Sequence, residues 1–312
     1  MDAAEVSTVA TSLKATRAAG DQAPIRGPVA VVTDSVAQVD PQLATLLGIT
    51  VVPMKLVLGD REYRDGIDIT PAELYRRMRD ERALPRTSSP SPGDYLSAFT
   101  GLLRSGAEAI VCLTPSSRLT TAFNAAVLAA EMARALWPDK RLEVVDTRIA
   151  ARAQGYVASQ AARTAAAGAS MEQVVATARA TRQRVGLVAT VETLDYLVRG
   201  GRVSLAAGLL GNLLQVKPLL TIDSDGAAIC IARRRSTRAA LEYMIEHVAA
   251  STRGCSALDL AVMQAGAPQE AAELEEMVQQ AWPAAEVVVT DFTPVMGGHT
   301  GPGLIGLAFH YE

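Results

Sequence analysis

Four short apolar runs, each followed by a helix-like stretch, constrain this chain more than any other feature of its sequence. Val29-Ala-Val-Val-Thr33, Ile49–Pro53, Ala109-Ile-Val-Cys-Leu113 and Leu142–Val145 are too short for buried helices and do not alternate polar with apolar. A strand that is apolar on both faces must be covered on both faces. That requirement points to a mostly parallel sheet with helices in the crossovers. The helix signals fall between the runs. Thr70-Pro71-Ala72-Glu73 joins a threonine cap, proline at the first helical position and glutamate three after the cap, so a helix should run to about Glu81. Ser91-Pro92-Gly93-Asp94 repeats the device for a helix to about Arg104. Alanine-rich helices are expected from about Thr121 to Leu136 and from about Arg148 to Ala166, and Ser170 with Gln173 caps another to about Arg184.

Beyond residue 184 the organisation changes. A strand over Leu187–Val191 leads into Glu192–Arg202, a short amphipathic helix stopped by Gly200-Gly201. Leu219–Ile222 and Ala227–Ala232, joined by Asp223-Ser-Asp-Gly226, have the form of an antiparallel hairpin. Helix Thr237–Ala250, strand Asp259–Gln264, helix Pro268–Trp282 and strand Glu286–Val289 follow, and Leu304–Phe309 reads as a final strand. The expected fold class is α/β in two domains. Residues 28–184 form an N-terminal domain with a Rossmann-like, mostly parallel sheet. Residues 185–312 form a C-terminal domain with a mixed sheet and flanking helices. Residues 1–27 read as a disordered or extended tail.

Composition removes several functional classes. A formal net charge of −3, a pI near 5.8 and 4% aromatic residues supply neither the polyelectrolyte signature nor the stacking platforms of a nucleic-acid binder. Cys112, Cys230 and Cys255 are odd in number and widely spaced, which fits neither a disulfide framework nor a zinc site and favours reducing cytoplasm. No window reaches the roughly 18 uninterrupted apolar residues of a membrane span. The most apolar stretch, Leu205–Leu220, is broken by Gly208, Gly211, Asn212, Gln215, Lys217 and Pro218, so at most transient membrane contact is expected. Gly-x-Ser-x-Gly, the Walker motif and a kinase signature are absent, and no histidine has a ligand-spaced neighbour. No catalytic residue, metal or cofactor is expected.

What remains is a set of groups suited to an anion. Gly297-Gly-His-Thr-Gly-Pro-Gly-Leu-Ile-Gly306 holds one of three histidines in a glycine-dense setting, the mark of backbone shaped around something. Its Gly301-x-Gly303-x-x-Gly306 spacing matches the dinucleotide fingerprint, but that fingerprint needs a strand before it and a helix opening on its last glycine. The hydroxyl-rich loops Leu84–Pro92 and Thr114–Thr121 lead into helix starts, where loose backbone amides suit an anion. Open parallel sheets place ligand groups beyond the carboxyl ends of their strands, so Asp34, the Thr87 loop and the Thr114–Thr121 loop should converge on one rim. Arg202 is a permanent fork of donors, and His299, Thr87 and Thr120 can donate, a set that would hold a carboxylate or a phosphate. Each also has a plainer role. Thr87 and Ser91 serve as caps or turn formers, Thr120 begins a helix, Arg202 neutralises a helix end, and Asp34 reads as a turn or cap residue.

Six motifs in order carry a family resemblance: Thr33-Asp34-Ser35, Thr87-Ser-Ser-Pro-Ser91, Ser116-Ser-Arg-Leu-Thr-Thr121, Leu197-Val-Arg-Gly-Gly-Arg202, Lys217-Pro218-Leu219 and Gly298-His-Thr-Gly-Pro-Gly303. From about Pro28 onward the chain resembles the bacterial DegV family. That resemblance implies a two-domain α/β protein with one long-chain fatty acid between its domains. In some members it also implies the acyl-carrying subunit of a fatty acid kinase, whose separate ATP-binding subunit phosphorylates the carboxylate. It places carboxylate contacts on Thr87, Thr120 and the adjoining Thr121, with Ser88, Arg202 and His299 in support. Where the family reads Leu-Ser-Gly-Thr, this chain reads Leu119-Thr120-Thr121-Ala122. The expected function is fatty acid binding and presentation to a kinase subunit, without chemistry of its own. The alternative is a small-molecule enzyme acting on a phosphate or carboxylate metabolite at the inter-domain cleft. Leu205–Leu214 and the alanine-rich helices are the candidate tunnel lining.

Overall fold

The computed structural model describes residues 27–80, 84–201 and 216–312. The first sheet is built from β1 (Val29–Asp34), β2 (Ile49–Val52), β6 (Ala109–Thr114) and β7 (Arg141–Asp146), all parallel, in the order β2-β1-β6-β7. Its crossovers contain α1 (Pro41–Leu47), α3 (Pro92–Arg104) and α4 (Ala122–Leu136). Every residue of β1 and β6 is buried, as their unbroken apolar runs require. Alternate side chains divide the two faces. Ala30, Val32, Ile110 and Cys112 pack outward under α3 and α4, whereas Val29, Val31, Val111 and Leu113 face the middle of the molecule.

The middle is filled by α5 (Ala151–Ala166), a helix buried almost all round, followed by α6 (Met171–Arg182). Alanine lets α5 pack between two sheets without forcing them apart. Gly155 makes the closest approach, since a Cβ there would lie 2.3 Å from the Ala37 carbonyl oxygen. The second sheet uses β8 (Val185–Thr190), β9 (Lys217–Ile222), β10 (Ala228–Arg234), β11 (Leu258–Gln264), β12 (Glu286–Asp291) and β13 (Ile305–Tyr311), in the order β10-β9-β8-β13-β11-β12. Only β11 and β12 run parallel, so the sheet is mixed as expected, and β9 with β10 forms the expected hairpin. Leu187, Ala189, Ala261, Met263 and Ala308 look toward α5. Val188, Leu219, Leu260, Val262 and Leu307 pack against α8 (Thr237–Ser251) and α9 (Pro268–Ala281) on the far side.

Three expectations change. Leu84–Pro92 is not all loop: Arg86–Ser88 is β5, paired with β3 (Lys55–Leu58), which pairs in turn with β4 (Arg61–Arg64) in a small antiparallel sheet. Part of its backbone is therefore committed to a ladder and is not available to an anion. α2 (Pro71–Asp80) ends within one residue of the predicted point, and β4 leads into the turn before it. The glycine-dense stretch near the end is in part helical, α10 (Pro294–Thr300), because packing overrides the poor helix propensity of Gly297 and Gly298. The predicted helix from Arg148 begins only at Ala151, after a turn in which Arg148 takes φ 51° and Ala151 itself φ 57°.

Asp34 takes the plainer of its two expected roles, that of a cap, and borders neither the cavity nor the cleft described below. It is fully buried, caps the short turn Ser35–Ala37 by accepting from the Val36 N–H at 3.1 Å, and accepts from the Tyr95 hydroxyl at 3.3 Å. Burial pushes its carboxyl from 3.8 up to about 7, opposed by hydrogen bonding to Val36, Gln154 and Tyr95. A raised carboxylate pKa in the folded state means that the ionised form disfavours folding. The stability present below the ordinary pKa is lost as pH rises through about 7. Asp34→Asn should therefore raise the melting temperature above pH 7 and flatten its pH dependence. The effect is on the order of 4 kcal/mol at most, and an unchanged profile would contradict the assignment. Gly155→Ala is expected to lower the denaturation midpoint by the equivalent of about 1–3 kcal/mol, because the overlap is with backbone that cannot rotate away.

Candidate functional site

The loops at the carboxyl ends of all four parallel strands meet at one place. Val36 follows β1, Met54 follows β2, Leu119 and Thr120 follow β6, and Ala150 and Ala151 follow β7. They face β8, β9 and α10 across an internal cavity of about 130 Å³ of space open to the centre of a water-sized sphere. That is about ten times what one buried water needs. From the second sheet and its connections come Leu187, Ala189, Leu220, Ile222, Phe292 and Leu304. Among the described residues, polar side chains on the wall are few: Thr120, Thr221, His299 and Thr300. The Thr221 hydroxyl donates to the Leu187 carbonyl at 2.6 Å and that of Thr300 to the Met296 carbonyl at 3.2 Å, so both are committed to backbone. Thr120 and His299 carry the remaining polarity.

A second, open depression of about 810 Å³ adjoins this cavity on the outside. Its walls are the Thr87–Pro92 and Ser117–Thr121 segments with Asn124, Ala125 and Leu128 of α4 and Gly201. Leu119 and Thr120 line both spaces. Thr87 borders the outer cleft and His299 the inner cavity, and Thr87 Oγ1 and His299 Nε2 lie 2.5 Å apart. The apolar interior and the hydroxyl-rich exterior therefore meet at Thr87, Thr120 and His299.

Local structure explains how each side chain is aimed. Thr87 and Ser88 are neighbours on β5 and point to opposite faces. Thr87 is half-buried, opposite Leu56 in the ladder, and Ser88 is exposed on the cleft side, opposite Lys55. Ser91 completes a capping box with Asp94 and fixes the start of α3, and Lys55 holds Asp94 at 3.1 Å. The Thr120 hydroxyl oxygen accepts from the Ala122 N–H at 3.2 Å, which leaves its O–H to donate. At Thr121, where the resemblance implies a glycine, φ is −91° and ψ is 7°, so the backbone has no need of glycine there. The Thr121 hydroxyl donates to Ser89 Oγ at 3.0 Å and ties the two loops together. Thr121 borders the cleft and not the cavity. Ser116, also part of a predicted motif, is buried and donates to the Gly226 carbonyl at 2.7 Å, docking the β9–β10 hairpin.

The glycines around His299 serve the protein's own packing. A Cβ at Gly297 would lie 2.2 Å from the Tyr75 hydroxyl, one at Gly301 2.3 Å from the Tyr196 ring and one at Gly303 2.9 Å from Glu192. Gly301 and Gly303 also take positive φ, 75° and 89°, turning the chain from α10 into β13. Backbone is shaped here around aromatic and acidic side chains, which place α10 and with it His299. His247 lies on α8 and His310 pairs with Asp259 at 2.9 Å, both away from the cavity wall. Arg202 and the Leu205–Leu214 segment lie outside the described residues. No helix among the described residues is long and apolar enough to cross a membrane. Val36, Met54, Ala150 and Phe292 carry no individual signal in the sequence. Their shared position after parallel strands, or between elements, was the only available cue.

The geometry has close counterparts. Residues 28–312 match the model of the DegV family, a family described as uncharacterised. A DegV domain-containing protein of Streptomyces coelicolor is 36% identical over 280 residues, covering 89% of this chain and 97% of that protein. Among solved structures, a fatty-acid-binding DegV family protein from Thermus thermophilus superposes with a TM-score of 0.84 at 31% identity, covering 91% of this chain and 99% of the other. DegV from Bacillus subtilis, a fatty acid binding protein, gives 0.82 at 27% identity with coverage of 91% and 99%. With the family match spanning nearly the whole chain and the fold agreeing throughout, the protein belongs to the DegV family.

Proposed function

We propose that this chain binds one long-chain fatty acid, buries the tail in the apolar cavity and presents the carboxylate at the cleft to a separate ATP-binding kinase subunit. In this reading the acyl phosphate is made by the partner, in the cytoplasm where ATP is available, and the chain contributes no catalytic group. One observation carries it: the apolar cavity and the open polar cleft share Thr120 beside the Thr87–His299 pair. An amphiphile with a long apolar body and one anionic end fits that division. The fatty-acid-binding relatives from Thermus thermophilus and Bacillus subtilis support the ligand class. The accessible head-group position and the family resemblance support the kinase partner.

The hydroxyls suit a carboxylate when they donate. Thr120 is set to do so by its accepted Ala122 N–H. If His299 carries its proton on Nε2, it donates to Thr87 Oγ1, and the Thr87 O–H is then left for the ligand. Charge-assisted hydrogen bonds contribute on the order of 1.5–3 kcal/mol each, whereas chain burial gains roughly 0.8 kcal/mol per methylene before ordering costs. The tail supplies affinity and the hydroxyls fix where the carboxylate sits. An enzyme for a small polar metabolite fits less well, because the described residues wall the inner space almost entirely with apolar side chains.

Native mass spectrometry of the purified protein, with extraction of the denatured sample, tests the ligand. One bound mass that extracts as a fatty acid is expected; no bound lipid and no uptake of added oleate or palmitate would remove the reading. Thr87→Val and Thr120→Val keep shape and lose a donor, and each should weaken palmitate binding about tenfold. Arg202→Ala should reduce partner-dependent acyl phosphate formation more than it reduces lipid binding, and unchanged phosphorylation would take Arg202 out of the head-group network.

A further inference from the structure

We propose that Asp65 is the positioning residue for His299 and acts through the N-terminus of the helix that carries it. The proposal deepens the fatty acid reading and rests on it only for the role given to His299. Asp65 follows β4 in the small sheet and is 2% exposed. Its own N–H donates to the Met54 carbonyl at 2.9 Å, beside the cavity wall. Its Oδ1 accepts from the Val295 N–H at 2.8 Å, across 230 residues of sequence.

α10 lacks a cap of its own. The Thr293 side chain makes no capping hydrogen bond, and Pro294 has no N–H. The Val295 amide is then the first helical donor needing a partner, and Asp65 supplies it from another element. Burial raises the Asp65 carboxyl above the ordinary range, opposed by the Val295 amide's hydrogen bond to Oδ1, while Oδ2 and the Thr293 hydroxyl are buried without a hydrogen-bond partner among the described residues. An acid is kept here despite its solvation cost. Val295 and His299 are four residues apart, on one face of the helix, and both line the cavity. Tyr75 fixes the helix laterally, through its hydroxyl donating to the Phe292 carbonyl at 3.2 Å and through its ring against Gly297. Asp65 fixes it at its end. The whole helix is seven residues, about 10 Å, so a displaced N-terminus displaces His299 and with it the contact to Thr87.

Three histidines make the test direct. In ligand-free protein with isotopically labelled imidazoles, Asp65→Ala should shift the His299 ring resonances while those of His247 and His310 stay in place. The same variant should bind palmitate about tenfold more weakly, the loss of one charge-assisted contact's worth of positioning. Adding Thr293→Asp gives α10 a carboxylate cap of its own and should restore both readings. An unmoved His299, movement of all three histidines together, or no rescue by Thr293→Asp would overturn the proposal. Should Asp65→Ala fail to fold, Asp65→Asn keeps the shape with a weaker acceptor. It should shift His299 in the same sense, and an unmoved ring there overturns the proposal equally. Because the resonances are read without ligand, a wild-type protein that binds no fatty acid would defeat the functional reading and leave the Asp65 result standing by itself.

Discussion

A hydrogen bond between Thr87 and His299 joins parts of the chain separated by 212 residues, at the place where the inner cavity and the outer cleft meet. Thr87 belongs to the small antiparallel sheet and His299 to the short helix before the last strand. Neither element is stable by its own propensity. The strands of the small sheet are three or four residues long, and the helix contains two adjacent glycines. Tertiary contact makes both. Leu56 is fully buried, and with Pro85 it packs against Gly298, whereas Tyr75 packs against Gly297. The polar pair therefore sits on an apolar contact that only the complete fold supplies.

Around this pair the architecture separates two solvents. Inside, strand ends and alanine-rich turns enclose a cavity in which nearly every wall atom is apolar or already hydrogen-bonded to backbone. Outside, loop hydroxyls border a cleft open to water. Leu119 and Thr120 line both spaces and form the boundary between them. Desolvating a carboxylate fully would be costly, and leaving it fully exposed would forgo the hydroxyls; in the proposed reading the boundary would let it keep both water and donors.

Much of this was legible in the sequence. The apolar runs gave the parallel strands, Ser91 with Asp94 and Ser170 with Gln173 gave helix starts that carry full capping boxes, and Asp223–Gly226 gave the hairpin. Thr87, Thr120 and His299 stood out as hydroxyls and an imidazole in loops that lead onto helices or strands. The small sheet was hidden, because Arg61–Arg64 is charged and three of its four residues are exposed, leaving no period to read. The helix bearing His299 was hidden by glycines whose cause lies in Tyr75, far along the chain. Asp34 reads as a turn or cap residue and is one, but its burial beside Tyr95 could not be read from the sequence. Asp65 carries no local signal, since its partner amide lies 230 residues away.

The central claim is a location: carboxylate at the boundary, chain inside. A crystal structure of the protein loaded with palmitate tests it most directly. The account predicts head-group density within hydrogen-bonding distance of the Thr87 and Thr120 hydroxyls, with the alkyl chain running between the parallel strand ends and β8–β9. A chain lying along the outer cleft, or a carboxylate placed away from both threonines, would contradict it.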